Sequence, residues 1–185
     1  MYEPLRPLAR SLVAAALALL LAGCGTLGAE APASTDVAVL AGVEKTRPGT
    51  ARVRAALLAS SRGLLYPSET DAPWTWTDLG PASALPDAAA VAARLGFTGP
   101  GVEAHALDAD AWFARLVRNA DPADPASVRV ARRHEQLRRT FRRWYTDVRV
   151  YRVRDALASP AEWHVVVLGV NEAGVTGLRT LAVET

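Results

Sequence analysis

Helical periodicity becomes readable from about residue 50, where apolar side chains begin to recur every three or four positions. Val53 and Leu57 lie on the apolar side of a predicted first helix, and Thr50 is placed to cap its start. Pro86 and Gly96 bracket an alanine-rich segment at the N1 and C′ positions that these residues favour. The pattern therefore predicts two helices in the first half of the folded part.

Two further helices are predicted from cap residues followed by amphipathic segments. Asp108 precedes the apolar residues Trp112 and Phe113, and Asp124 followed by Pro125 is a typical start of a helix. The helix that begins there is the longest one, and its apolar stripe is spaced four, three, four and three. The stripe consists of Val130, His134, Leu137, Phe141 and Trp144.

Alternating or continuous apolar residues predict strands between and after these helices. Short strands are indicated at residues 74–77 and 102–107, and three longer ones at 148–153, 163–170 and 175–183. Residues 171–174 form a turn, so the last two strands are expected to pair as an antiparallel hairpin. Residues 165–168 are apolar on both faces, which is typical of a central strand covered on each side. Helices scattered among antiparallel strands predict an α+β sandwich in a single domain.

The amino-terminal segment follows a different pattern, because Arg6 and Arg10 precede an apolar run that ends at Ala22. The run is short for a bilayer span and is typical of a secretory signal. Gly23 and Cys24 follow, which resembles a bacterial lipobox with Cys24 as the lipid-anchored residue. An ordinary signal peptide followed by a buried free cysteine is the alternative.

These patterns divide the chain into three parts. We predict a lipoprotein signal peptide at 1–23, a lipidated tether at 24–49 and a folded domain at 50–185. Residues 37–43 form an apolar patch within the tether, which fits either a short helix or a short strand. On this reading the domain lies in the cell envelope, anchored to a membrane outside the cytoplasm.

Composition narrows the function without identifying it. A chain of 185 residues fits one domain with a substantial core. The formal net charge of +2 is too nearly balanced to indicate a partner. The single cysteine excludes an internal disulfide framework and any zinc site with several cysteines.

No catalytic motif accompanies the three histidines, His105, His134 and His164. His134 lies on the core stripe of the long helix, and the other two lie in predicted strands. Structural roles are the favoured interpretation for all three. A catalytic group assembled only in space is not excluded by sequence, but we do not expect an enzyme.

Arginines are dense between Arg129 and Arg154, which is compatible with a phosphate-binding face. They surround the long helix instead of forming one stripe, and aromatic residues do not alternate with them. A solvated helix exterior explains them equally well, so direct binding of nucleic acid is not expected. An anionic membrane surface or an acidic protein would fit the same charges.

The carboxyl terminus is the third candidate site, because the last predicted strand runs to Glu184 and Thr185. A strand that continues to the end would fix the terminal carboxylate relative to a rigid sheet. Together with the threonine hydroxyl, that carboxylate could bind a hard cation such as Mg²⁺, which prefers oxygen ligands.

Three stretches carry a resemblance to a known family. The first is residues 63–73, with Gly-Leu-Leu, then Ser-Glu, then Pro; the second is residues 150–152; the third runs from Val165 to the closing Val-Glu-Thr. In these residues the chain resembles the nuclease A inhibitor family, small proteins that block a sugar-nonspecific, Mg²⁺-dependent endonuclease. The resemblance covers residues 50–185.

The resemblance implies an α/β/α sandwich with a mainly antiparallel sheet and a monomeric inhibitor that binds its nuclease one-to-one. It implies that Thr185 ligates the catalytic metal of the nuclease and that Glu69 contacts basic groups which otherwise hold substrate phosphate. Glu184 and Asp121 would add contacts. The chain would need no cofactor of its own, since the Mg²⁺ belongs to the partner.

Two departures from the family pattern bear on these expectations. The family has an Asp-Trp pair before the long helix, whereas Asp121 is followed here by Pro122. The arginine-rich helix would repel a basic substrate groove if it faced one.

The sequence thus predicts an envelope-anchored inhibitor of a secreted or periplasmic nonspecific nuclease. The alternatives are a lipoprotein that binds a different protein, and a binder of nucleic acid or anionic surfaces that acts through its arginines.

Overall fold

A five-stranded antiparallel sheet forms the centre of the computed structural model, which describes residues 49–184. Its strand order is β3-β7-β6-β5-β4, and a separate two-stranded sheet pairs β1 with β2. The strands are β1 Leu65–Tyr66, β2 Ala72–Pro73, β3 Thr75–Gly80, β4 Val102–Asp108, β5 Asp147–Asp155, β6 Glu162–Asn171 and β7 Gly174–Val183. The described residues belong to one compact unit.

Four helices are described within residues 49–184, and aspartates cap three of them. The helices are α1 Thr50–Ser61, α2 Ala88–Arg94, α3 Ala109–Arg118 and α4 Pro125–Trp144. The carboxylates of Asp87, Asp108 and Asp124 accept hydrogen bonds from backbone N–H groups in the first turns of α2, α3 and α4. The caps that the sequence predicted at Asp108 and Asp124 are therefore confirmed.

The helices cover both faces of the sheet. On one face α1, α3 and α4 pack their aromatic and leucine side chains on alternate residues of the strands, such as Val165 and Val167. On the other face Val91 of α2 packs with Val166 and Leu168. Because β6 is buried on both faces, its apolar side chains occur without alternation. The predicted α+β fold, an α/β/α sandwich with an antiparallel sheet, is confirmed.

The hairpin between β6 and β7 has the predicted position, since Asn171 pairs with Gly174 at its closing end. Near that end Tyr145 packs directly on the backbone of Gly169. A Cβ atom at Gly169 would lie 2.2 Å from Cγ of Tyr145, so the ring requires glycine there. The Tyr145 hydroxyl is hydrogen-bonded to Oγ1 of Thr176 at 2.7 Å.

Three local predictions were wrong. Gly49, not Thr50, is the N-cap of α1, and Oγ1 of Thr50 is buried without a hydrogen-bond partner among the described residues. Pro86 precedes the N-cap of α2 instead of occupying N1. Val130 is 42% exposed, because Ala131 takes its place on the buried side of α4.

Candidate functional site

The loop that carries Glu69 is attached to the end of the central sheet. The backbone N–H of Glu69 donates to the carbonyl of Val183 at 3.3 Å, and the hydroxyl of Thr180 donates to the carbonyl of Ala72 at 3.0 Å. The loop therefore lies alongside the last residues of β7. Glu69 itself is exposed to solvent.

Aromatic packing explains why this loop is held against the domain. Tyr66 precedes the loop and stacks on Trp112 of α3, with ring centroids 5.8 Å apart. Trp74 follows the loop and meets both rings edge-on, and all three side chains are almost completely buried. Burying rings of this size anchors the β1–β2 hairpin at both of its ends.

Glu184, the last described residue, is held at two points. Its backbone N–H donates to the carbonyl of Ala161 at 3.0 Å. Its carboxylate accepts a hydrogen bond of 2.5 Å from Arg152. Glu184 is therefore held through both its backbone and its side chain, and Thr185 lies outside the described residues.

Arg152 is in turn fixed by Trp163, which lies between two guanidinium groups. The Cζ atoms of Arg152 and Arg154 are 4.3 and 4.2 Å from the Trp163 ring centroid. Arg154 also donates to the carboxylate of Glu103, its direct partner across the β4–β5 pairing. We call this set the tryptophan–arginine cluster: Glu103, Arg152, Arg154, Trp163 and Glu184.

Tyr66 lies within the electrostatic reach of this cluster. Burial raises the pKa of its hydroxyl, and the negative charge of Glu184 raises it further, whereas Arg152 and Arg115 act in the opposite direction. The hydroxyl consequently stays protonated at neutral pH and is available as a hydrogen-bond donor.

Asp121 lies in the connection between α3 and α4, where it is exposed and bonds locally. Its carboxylate accepts from the N–H of Ala123 at 2.8 Å, and its own N–H donates to Oγ of Ser127 at 2.9 Å. These bonds shape the loop. Asp121 is not among the residues that line the cavity between this loop and Glu184, whereas Ser127 is.

Many arginines of the long helix already have partners. Arg133 donates to the carbonyls of Arg62 and Gly63 after α1, and Arg138 bridges Glu135 and Asp110. Arg142 also pairs with Asp110. These contacts join α4 to α1 and α3, so a large part of the arginine content serves packing between helices.

The histidines are dispersed. His134 is 1% exposed and its Nδ1 is hydrogen-bonded to the carbonyl of Val130 at 3.1 Å, while burial lowers its pKa. Burial also lowers the pKa of His164, whose ring contacts Phe97. His105 lies 5.7 Å from the ring of Trp163. Within residues 49–184, no group of three or more His, Cys, Asp or Glu side chains could hold a metal ion.

Sequence reasoning did not identify the tryptophan–arginine cluster. A usable signal was present, because Arg152 and Arg154 alternate with buried residues of β5 and so share the face of Val150. The partner Trp163 on the next strand could only be located once the register was known.

The amino-terminal predictions lie outside the described residues, including the signal peptide, the tether, the patch at 37–43 and the lipid anchor at Cys24. Among the helices that are described, none has the length and apolar character needed to cross a bilayer.

Comparison with known proteins bears on the whole domain. A search of curated proteins found no match. A family model described as nuclease A inhibitor-like protein matches residues 51–185, which include the Glu69 loop and the end of β7. The match extends over well more than half of the chain. The chain therefore belongs to the nuclease A inhibitor-like family, whose description indicates a role in inhibiting a nuclease.

Proposed function

We propose that this chain inhibits a Mg²⁺-dependent, sugar-nonspecific nuclease by presenting its carboxyl terminus to the active site. In this proposal the carboxylate and hydroxyl of Thr185 bind the catalytic metal of the nuclease. Glu69 occupies the neighbouring position and contacts basic groups that hold substrate phosphate.

One observation carries the proposal: the hydrogen bond from Glu69 N–H to Val183 O holds the Glu69 loop next to the end of β7, and both segments lie within the family match. Glu69 and Thr185 are far apart in sequence, and a common site requires that their segments meet. Exposure of both Glu69 and Glu184 leaves this end of the domain accessible to a partner.

The chemistry of the two groups fits the substrate they would replace. A phosphodiester presents negatively charged oxygens to Mg²⁺ and to cationic side chains. A carboxylate with an adjacent hydroxyl offers oxygen ligands of the kind that Mg²⁺ prefers. A second carboxylate can form charge-assisted hydrogen bonds to arginine or lysine in a desolvated centre.

The cluster behind the tail supplies rigidity. Arg152 holds the Glu184 carboxylate and is itself fixed against Trp163. A tail whose direction is set before binding loses less conformational entropy on association. Glu184 therefore acts as a positioning residue, and Asp121 shapes a loop at the margin of the contact.

The proposal includes no catalysis by this chain and no cofactor of its own. It acts as a monomer in a one-to-one complex, and the Mg²⁺ is that of the nuclease. Cleavage before Cys24 and lipidation of its thiol would anchor the domain in the cell envelope, where its target is a secreted or periplasmic nuclease. Several acyl chains together give stable anchoring.

A titration tests the proposal directly. Increasing amounts of the chain are added to a Mg²⁺-dependent nonspecific nuclease, and inhibition is expected to be complete at one equivalent. Two alanines added after Thr185 are expected to abolish inhibition, because the carboxylate is moved away from the metal.

Arg129→Glu provides the matched control, since Arg129 is an exposed residue of α4. It is expected to inhibit as the parent chain does. If the helix variant loses binding and the extended tail does not, the proposal is wrong and an arginine-mediated surface is indicated instead.

A further inference from the structure

A cavity of about 390 Å³ lies between the helices α3 and α4 and the end of the sheet at Glu184. Polar and charged side chains from distant parts of the sequence line it together with apolar ones. Those that matter here are Tyr66, Arg115, Ser127, His134, Arg152 and Glu184. The cavity size exceeds what one water molecule requires.

His134 is the most informative residue of the cavity wall, because it is buried and only one of its two ring nitrogens has a hydrogen-bond partner among the described residues. Its Nδ1 lies 3.1 Å from the Val130 carbonyl and so carries the ring proton. Its Nε2 has no hydrogen-bond partner among residues 49–184. Burial lowers the pKa of the ring, which keeps it neutral. Nε2 is therefore a hydrogen-bond acceptor that lacks a donor among these residues.

The same cavity has an excess of positive charge. Arg115 has no carboxylate within ion-pair distance in the described part of the chain, whereas Arg152 pairs with Glu184. Nε of Arg152 is buried without a partner there. The protonated hydroxyl of Tyr66 adds another donor. The cavity lining thus contains two guanidinium groups and one carboxylate.

We propose that this cavity binds a small oxyanion that carries its own hydroxyl group, as hydrogen phosphate does. The oxyanion's charged oxygens accept from Arg115, from Nε of Arg152 and from Tyr66. Its hydroxyl donates to Nε2 of His134. This combination satisfies the unpartnered atoms, which neither a purely anionic nor a purely cationic ligand does.

The choice of anion gives a sharp test. Phosphate keeps at least one P–OH group at neutral pH, whereas sulfate is fully deprotonated and has the same shape. Calorimetric titration of the full chain is expected to show at least tenfold tighter binding of phosphate than of sulfate. Nitrogen-detected NMR is expected to show a shift of the His134 Nε2 resonance with phosphate only.

Single substitutions test which side chains contact the anion. His134→Phe keeps an aromatic ring but removes the Nε2 acceptor, and it is expected to remove the preference for phosphate over sulfate. Arg115→Gln changes an exposed side chain, so it leaves the fold intact, and it is expected to weaken both anions about tenfold. Arg129→Gln removes an exposed arginine that does not line the cavity, and we expect no change.

A terminal threonine, like the proposed ligand, combines a negatively charged group with a hydroxyl. A chain lacking Thr185 therefore tests whether the chain's own end binds in the cavity. Unchanged phosphate affinity is expected. Tightening of tenfold or more would mean that the chain's own end, and not a small oxyanion, is the resident occupant of the cavity, and would overturn the proposal. Equal affinities for phosphate and sulfate would overturn it as well, whether or not Arg115→Gln weakens them. The anion titrations contain no nuclease, so a failure of the parent chain to bind phosphate leaves the proposed inhibition untouched.

Discussion

The two ends of the central sheet are built in different ways. At the hairpin end, where Asn171 and Gly174 join β6 to β7, Tyr145 lies flat on the backbone of Gly169. At the tail end, where β7 stops, Trp163 lies between guanidinium groups and Arg152 holds the exposed Glu184. One end is closely packed around an uncharged aromatic ring, and the other is built around charged side chains and is open to solvent.

From this difference we expect the hairpin end to contribute mainly to stability and the tail end to contribute mainly to binding. Close packing of a large ring stabilises a fold strongly, because its loss leaves a cavity. Exposed ion pairs contribute little to stability but can fix the direction of a group that meets a partner. Variants at the hairpin end should therefore unfold the domain, whereas variants at the tail end should alter binding.

The largest effect is expected for Tyr145→Ala at the hairpin end. The change removes the contact with Gly169, the stacking on Phe141 at 5.7 Å and the hydrogen bond to Thr176. We expect the free energy of unfolding to fall by about 4 kcal/mol, as measured by urea denaturation.

Tyr145→Phe is the matched control, because it keeps the ring and removes only the hydroxyl. Its expected cost is about 1 kcal/mol. Equal losses for both variants would show that the hydrogen bond, and not the packing on Gly169, stabilises this end.

A smaller effect is expected from the ion pairs that Glu135 forms with Arg138 and Arg139 within α4. The guanidinium of Arg138 lowers the pKa of the Glu135 carboxyl to about 2, and Arg139 acts in the same direction. The depressed pKa means that the stabilisation is fully present above about pH 4.5 and is lost as the pH falls towards 2. Because the pair is partly solvated, we expect about 1 kcal/mol.

Unfolding measured from pH 7 to pH 2 checks this expectation. Glu135→Gln should reduce stability at pH 7 and flatten the acid limb of the curve. If Glu135→Gln lost as much stability between pH 7 and pH 2 as the parent chain does, other carboxylates would be responsible for the acid sensitivity.

Elements with strong local signals were predictable from the sequence. The buried strand around Val165–Leu168 and the aspartate caps of α3 and α4 have the predicted positions, since they depend on neighbouring residues only. His134 was also predicted to lie in the core. Val130 was predicted to be buried, but it is exposed and Ala131 is buried instead. Both residues fit the spacing of the stripe, and only the packing of α4 against α1 and α3 determines which of them is buried.

Features that depend on long-range contacts were not predictable. The strands β1 and β2 have two residues each, too few for a period of two to be visible. The contact of Arg152 with Trp163 and Glu184 depends on the register of three strands. The cavity beside His134 requires the packing of α3 and α4 on that end of the sheet.

The smallest change in stability is expected for Glu184→Gln at the tail end, and it is the most direct test of the comparison. The Glu184 side chain is 44% exposed, so losing its ion pair with Arg152 should change the free energy of unfolding by less than about 0.5 kcal/mol. Inhibition of the nuclease should nevertheless weaken about tenfold, because the tail no longer leaves the sheet in one direction. Glu103→Gln is the matched control, since it breaks the other ion pair beside Trp163 without touching the tail. If both variants weakened inhibition equally, the charge of the whole cluster would matter, and the specific hold of Arg152 on Glu184 would not.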